Sequence, residues 1–89
     1  MIVKKIAINN KLGLHARASA KFVATALKFC STIEVQTDTK TINGKSIMGV
    51  MSIAASYGTF ITLSISGLDE QEMAIAITNL IDNKFGEKE

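Results

Sequence analysis

The chain contains one histidine, His15, and it lies in the stretch Gly13-Leu14-His15-Ala16-Arg17-Ala18-Ser19-Ala20. Imidazole is a competent covalent nucleophile near neutral pH. Once phosphorylated it is also a good leaving group, so a phosphoryl group received there can be passed on. That chemistry needs little beyond positioning and charge stabilisation. The stretch offers both. Gly13 lets the chain turn closely before the histidine. His15 reads as the N-cap of a helix that starts at Ala16. The first turn of a helix leaves up to four N–H groups without intrahelical partners, and they attract anions. The backbone of Ala16, Arg17 and Ala18 would therefore face a phosphoryl group on His15. Arg17 can fork to its oxygens.

The charge pattern supports an anion at this end. A cation in a first helical turn is unfavourable by about 0.3–1 kcal/mol. The helix after His15 opens with Arg17 and contains no acid, whereas the last helix opens with Asp69, Glu70 and Glu72. Residues 1–33 hold Lys4, Lys5, Lys11, Arg17, Lys21 and Lys28 and no acid at all. The His15 end is thus expected to be electropositive and its partner surfaces acidic or phosphorylated. Other chemistries fit less well. One histidine, the single Cys30 and no nearby acid do not complete a zinc shell, so no metal or other cofactor is expected. A hydrolase would need a second acid–base group beside His15. An RNA-binding sandwich would need aromatic residues on its open face, where only Phe60 qualifies. A net charge of +2 gives no reason to expect a nucleic-acid partner.

Ser46 is the second residue with chemical potential. It opens a short helix after the Asn43-Gly44 turn, and a serine N-cap alone would justify it. Phosphate there would be tolerated by the helix end. It would also put about −1.5 to −2 charge beside Ile47, Met48 and Met51. Those are too many apolar residues for so short a helix to bury, and methionine adapts to varied partners. Lys21, Lys28 and Lys45 are candidates for the basic rim of the same docking face.

The elements that must position these residues follow from periodicity. Residues 2–8 read as a strand and 16–29 as a helix with Ala20, Val23, Ala26, Leu27 and Cys30 inward. Residues 32–37 alternate as a strand, and 40–42 form a short polar strand at a sheet edge. A helix over 47–56 ends at Gly58 in a left-handed cap. Residues 60–66 alternate cleanly, with Ile61, Leu63 and Ile65 to one side. Asp69 and Glu72 form a capping box for a last helix, whose stripe is Met73, Ala76, Ile77, Leu80, Ile81 and Phe85. The order β-α-β-β-α-β-α implies an α+β two-layer sandwich. With 47% apolar and 20% charged residues, 89 residues make one domain, 1–89, with a packed core. The chain shows neither a signal-peptide core nor a membrane-spanning run, and its lone cysteine suits a reducing compartment, so a cytoplasmic protein is expected.

The Gly13–Ala20 segment resembles the active-site signature of the HPr family, the histidine-containing phosphocarriers of the bacterial phosphoenolpyruvate-dependent phosphotransferase system. Length, histidine position and element order agree from Ile2 to Phe85. The resemblance implies an open-faced β-sandwich, with three helices on one face of a four-stranded antiparallel sheet of order 1-4-2-3. It implies that His15 accepts a phosphoryl group on Nδ1 from phosphorylated enzyme I, that Arg17 steadies it, and that EIIA proteins receive it. Such a protein is a stoichiometric carrier, not a multi-turnover enzyme, and a monomer is expected. The nitrogen-regulatory branch of the same system is the nearest alternative. The segment around Ser46 looks like the site phosphorylated by HPr kinase/phosphorylase. One departure is Ala18, where the family signature carries proline. Its loss removes about 0.4–1 kcal/mol of pre-organisation and adds a backbone donor.

Overall fold

A computed structural model describes Met1–Glu89. In chain order it contains β1 (Ile2–Ala7), α1 (Ala16–Ala26), β2 (Thr32–Gln36), β3 (Thr41–Asn43), α2 (Ile47–Ser52), β4 (Phe60–Ser66) and α3 (Glu70–Asp82), followed by a 3₁₀ turn over Lys84–Gly86. The four strands form one antiparallel sheet of order β1-β4-β2-β3. Ile61, Leu63 and Ile65 of β4 and Ile33 and Val35 of β2 point into the core, while Thr62, Ser64, Glu34 and Gln36 do not. The strict alternation leaves one sheet face covered by helices and the other open, as expected.

Helix α1 buries Val23 and Ala26 as expected, but the rest of its buried stripe is shifted. Its buried residues are Ala18, Ser19, Phe22, Val23 and Ala26. Ala20, Leu27 and Cys30 are exposed. Phe22 decides the phase, because burying a whole aromatic side chain outweighs burying small ones. The helix also stops at Ala26 instead of running to residue 29. Lys28 and Phe29 donate to Thr25 and Ala26 three residues back, so the last turn tightens.

That tightening delivers the N–H groups of Cys30 and Ser31 to Asp69, each at 2.9 Å. The Ser31 hydroxyl donates to the same carboxylate. Asp69 is the N-cap residue of α3 but makes no side-chain cap bond. The expected capping box is therefore replaced by a clamp between the α1–β2 loop and the start of α3. The Ser31 hydroxyl and the Cys30 N–H hold Asp69 down, from 3.8 to about 2. Glu70, not Glu72, reaches back, accepting the Gly67 N–H at 3.3 Å.

Helix α2 ends at Ser52, short of residue 56. Ala54 takes the left-handed conformation directly after it, with φ 53°, while Gly58, also left-handed at φ 85°, turns the chain further on, just before β4. Asn43-Gly44 does form a turn, but Gly44 serves close packing. A Cβ there would lie 2.9 Å from Cγ2 of Ile33. Phe85 is buried as expected, yet it lies beyond α3 in the 3₁₀ turn, while Met73, Ile77 and Ile81 supply the buried stripe of α3. No helix is long and apolar enough to cross a membrane.

Candidate functional site

The loop before α1 is folded by backbone bonds. Gly13 donates to Asn10 O at 3.1 Å, and Leu14 donates to Ala55 O at 2.8 Å. Gly13 has φ +69°, and a Cβ there would strike the Ala55 carbonyl, so both conformation and space demand glycine. Leu14 is buried and anchors the loop.

His15 then caps α1 in an extended conformation, with φ −77° and ψ −178°. Its Nδ1 accepts the Arg17 N–H at 3.3 Å. The Nδ1 lone pair therefore faces the N-terminus of α1, whose first turn holds no acid. The imidazole is 28% exposed, enough for a reacting group to reach it. Arg17 is exposed and its guanidinium takes part in no ion pair, so it is free to meet an anion. Ala16 and Ala18 complete the turn, with Ala18 fully buried beneath it.

The other side of the ring corrects the expectation of an acid-free surrounding. His15 Nε2 lies 2.5 Å from Oε2 of Glu87, a residue 72 positions further along. The second oxygen of that carboxylate, Oε1, accepts from Asn10 Nδ2 at 3.0 Å. Asn10 is itself buried and also donates to Gly13 O at 2.8 Å. Burial alone would raise the Glu87 pKa. The hydrogen bonds from Asn10 and His15, with the nearby charge of Lys21, outweigh it and hold the carboxyl below its ordinary range. Sequence reasoning missed Glu87 and Asn10, because no local pattern connects a loop asparagine to a glutamate beyond the last helix.

The remaining candidates divide. Lys21 Nζ donates to Phe85 O at 2.7 Å, and Lys45 Nζ to Phe29 O at 2.8 Å, so both lysines tie segments together. Lys28 is exposed beyond the end of α1. At about 1.5 Å of rise per residue it stands a whole helix away from His15. Ser46 caps α2, its Oγ accepting from Gly49 N at 3.0 Å. Helices α1 and α2 pack side by side, and Ile47, Met48 and Met51 remain exposed on α2.

An open-faced α+β sandwich with a histidine-capped, acid-free first helix is the architecture of a phosphoryl carrier. A family model described as "PTS HPr component phosphorylation site" matches residues 2–83. The phosphocarrier protein HPr of Neisseria meningitidis serogroup A is 52% identical over 89 residues, covering all of both chains. The crystal structure of HPr-C-His from Thermoanaerobacter tengcongensis superposes with a TM-score of 0.95 at 50% identity, again over the whole of both chains. An HPr dimer from the same organism gives a TM-score of 0.78 at 54% identity, over 92% of this chain and 94% of that one. The chain belongs to the HPr family of phosphocarriers of the phosphotransferase system.

Proposed function

We propose that Nδ1 of His15 accepts a phosphoryl group from phosphorylated enzyme I and delivers it to EIIA proteins. The observation that carries this reading is the Nδ1 lone pair aimed at the acid-free N-terminus of α1, with Arg17 unpaired beside it. When Nδ1 is occupied by phosphorus, the Arg17 N–H is released from the ring and can bond a phosphoryl oxygen. The N–H groups of Ala16 and Ala18 and the Arg17 guanidinium supply further donors. The new N–P bond forms from the Nδ1 lone pair as the donor's bond to phosphorus breaks. The bonding pair leaves with the donor, and the phosphoryl charge is met by the helix end.

Docking uses the exposed Ile47, Met48 and Met51 with a rim of Lys28 and the solvated parts of Lys21 and Lys45. Phosphorylation of Ser46 by an HPr kinase/phosphorylase would place a dianion at the edge of this apolar face and weaken docking by charge and desolvation. The carrier acts in the cytoplasm as a monomer. It is a stoichiometric participant, and turnover belongs to its partners.

The test is incubation with phosphoenolpyruvate and enzyme I, read by intact mass. A single acid-labile phosphoryl group on the wild type, absent from His15→Ala, supports the assignment. A protein that never acquires it, or a His15→Ala variant that does, sinks it.

A further inference from the structure

The segment after α3 is bent sharply toward the active-site loop. Lys84 and Phe85 both have φ 56°, and Gly86 has φ 78°. Two successive non-glycine residues in the left-handed region are sterically unfavourable, so the surroundings must hold them there. They do. Phe85 is fully buried, Lys21 of α1 fixes its carbonyl, and Gly86 and Glu87 donate to Asn83 and Lys84 O, each at 2.9 Å. The result is one side chain, Glu87, brought back over the loop with only 14% of its surface exposed.

The contacts of Glu87 are directional. One carboxylate oxygen takes the Asn10 amide and the other takes His15 Nε2. Asn10 is pinned by the Gly13 carbonyl of the same loop. A carboxylate is acceptor-only when ionised, and this one is held in its ionised form by its donors. Its partner nitrogen must therefore carry the proton. In a neutral imidazole that leaves the other nitrogen, Nδ1, bare, because the hydrogen bond at one ring nitrogen sets the state of the other.

From this geometry we infer that Glu87 is a positioning residue for phosphoryl transfer. It fixes the Nε2–H tautomer and aims Nδ1 at the helix end, and its charge opposes the positive charge the ring develops as the N–P bond forms. The proton stays on Nε2, shared with Glu87, and none leaves the protein. Asn10 orients the carboxylate in turn, giving a hydrogen-bonded order Asn10–Glu87–His15. A carboxylate behind a histidine in this way performs the same two tasks in nucleophilic triads. The inference rests on the reading of His15 as the phosphoryl acceptor.

The test compares the full chain with Glu87→Ala and Glu87→Gln. Transfer from phosphorylated enzyme I is timed, and the His15 tautomer is read by nitrogen-15 NMR of the imidazole. Glu87→Ala is expected to slow transfer about tenfold, the scale seen when a carboxylate behind a functional imidazole is removed. Its ring should show a mixture of tautomers. Glu87→Gln, which keeps an acceptor oxygen but no charge, should hold the tautomer and recover only part of the rate. Thermal unfolding of each variant confirms that the fold survives. Transfer by Glu87→Ala within twofold of wild type, or an unchanged tautomer, overturns the inference. Should the wild type accept no phosphoryl group, the reading of His15 fails instead, and the tautomer comparison still decides what Glu87 does.

Discussion

The Asp69 carboxylate accepts the Ser31 N–H at 2.9 Å, and so a residue at the start of α3 holds the loop that leads from α1 into β2. The Cys30 N–H and the Ser31 hydroxyl complete the clamp. Because these bonds favour the charged form, the Asp69 pKa falls from 3.8 to about 2. A lowered folded-state pKa means that the unfolded chain binds its proton first as pH falls. The stabilisation is therefore fully present above about pH 4 and is lost as pH drops toward 2. Asp69→Asn should lower the urea midpoint near neutral pH. The gap to wild type should close between pH 4 and pH 2. A gap of constant size through that interval would show that the carboxylate charge contributes nothing.

Ser46 combines a cap and a proposed switch in one atom, and two variants separate them. Its Oγ satisfies the Gly49 N–H. Ser46→Ala is expected to cost about 1 kcal/mol of stability. It should leave transfer through His15 within about twofold of wild type, a change worth less than 0.5 kcal/mol. Ser46→Asp keeps a capping oxygen and should recover most of that stability. It also introduces a charge beside Ile47, Met48 and Met51, which are exposed on the same helix. Transfer between Ser46→Asp and phosphorylated enzyme I should therefore slow, through a higher KM. Denaturant melts and initial rates on the two variants check both halves.

Ala54 follows α2 with φ 53°, is exposed, and has a side chain no larger than a methyl. The left-handed conformation costs a non-glycine residue about 1–2 kcal/mol. Glycine removes that cost but loses about 0.5–1 kcal/mol through its freer unfolded state. The first term is the larger, so Ala54→Gly should raise stability by a few tenths to about 1 kcal/mol. A drop in melting temperature would mean that the Ala54 backbone carries no strain.

The misreading at this point shows where local pattern stops. The alternation of Ile61, Leu63 and Ile65, the cap at Ser46 and the cap at His15 are all decided within a few residues, and each was legible in the chain. So was the anion-seeking first turn of α1, because its charges are its own. The end of α2 was not legible: Gly58 is left-handed as its type favours, but the helix already stops at Ser52 and a second left-handed residue, Ala54, which no propensity favours, follows it. The phase of α1 turned on Phe22, whose burial is a property of the space beneath the helix. Asp69 carries every local mark of a capping residue. Its bonds go to Cys30 and Ser31 because the tightened end of α1 presents two N–H groups within reach. Glu87 is the extreme case. It reaches His15 through a left-handed bend at Lys84 and Phe85 that no propensity favours and that the burial of Phe85, the Lys21 bond and local backbone bonds maintain.

Arg17 gives the sharpest separation between stability and function. Its guanidinium is exposed and takes part in no ion pair, and it sits where the helix field disfavours a cation. Arg17→Ala should therefore leave stability within about 0.5 kcal/mol of wild type, or raise it slightly. Its effect should appear only when negative charge develops on the phosphoryl group being transferred. Removing a single donor aimed at developing charge costs on the order of 100-fold in rate. Arg17→Lys keeps the charge but loses the planar fork, so it should fall between the two. Equal losses for Arg17→Ala and Arg17→Lys would assign the effect to the fork alone. A rate for Arg17→Ala within twofold of wild type would remove Arg17 from the site and leave the backbone of Ala16 and Ala18, with the Arg17 N–H, as its only donors. Rapid-quench transfer assays on melts-matched protein distinguish these outcomes.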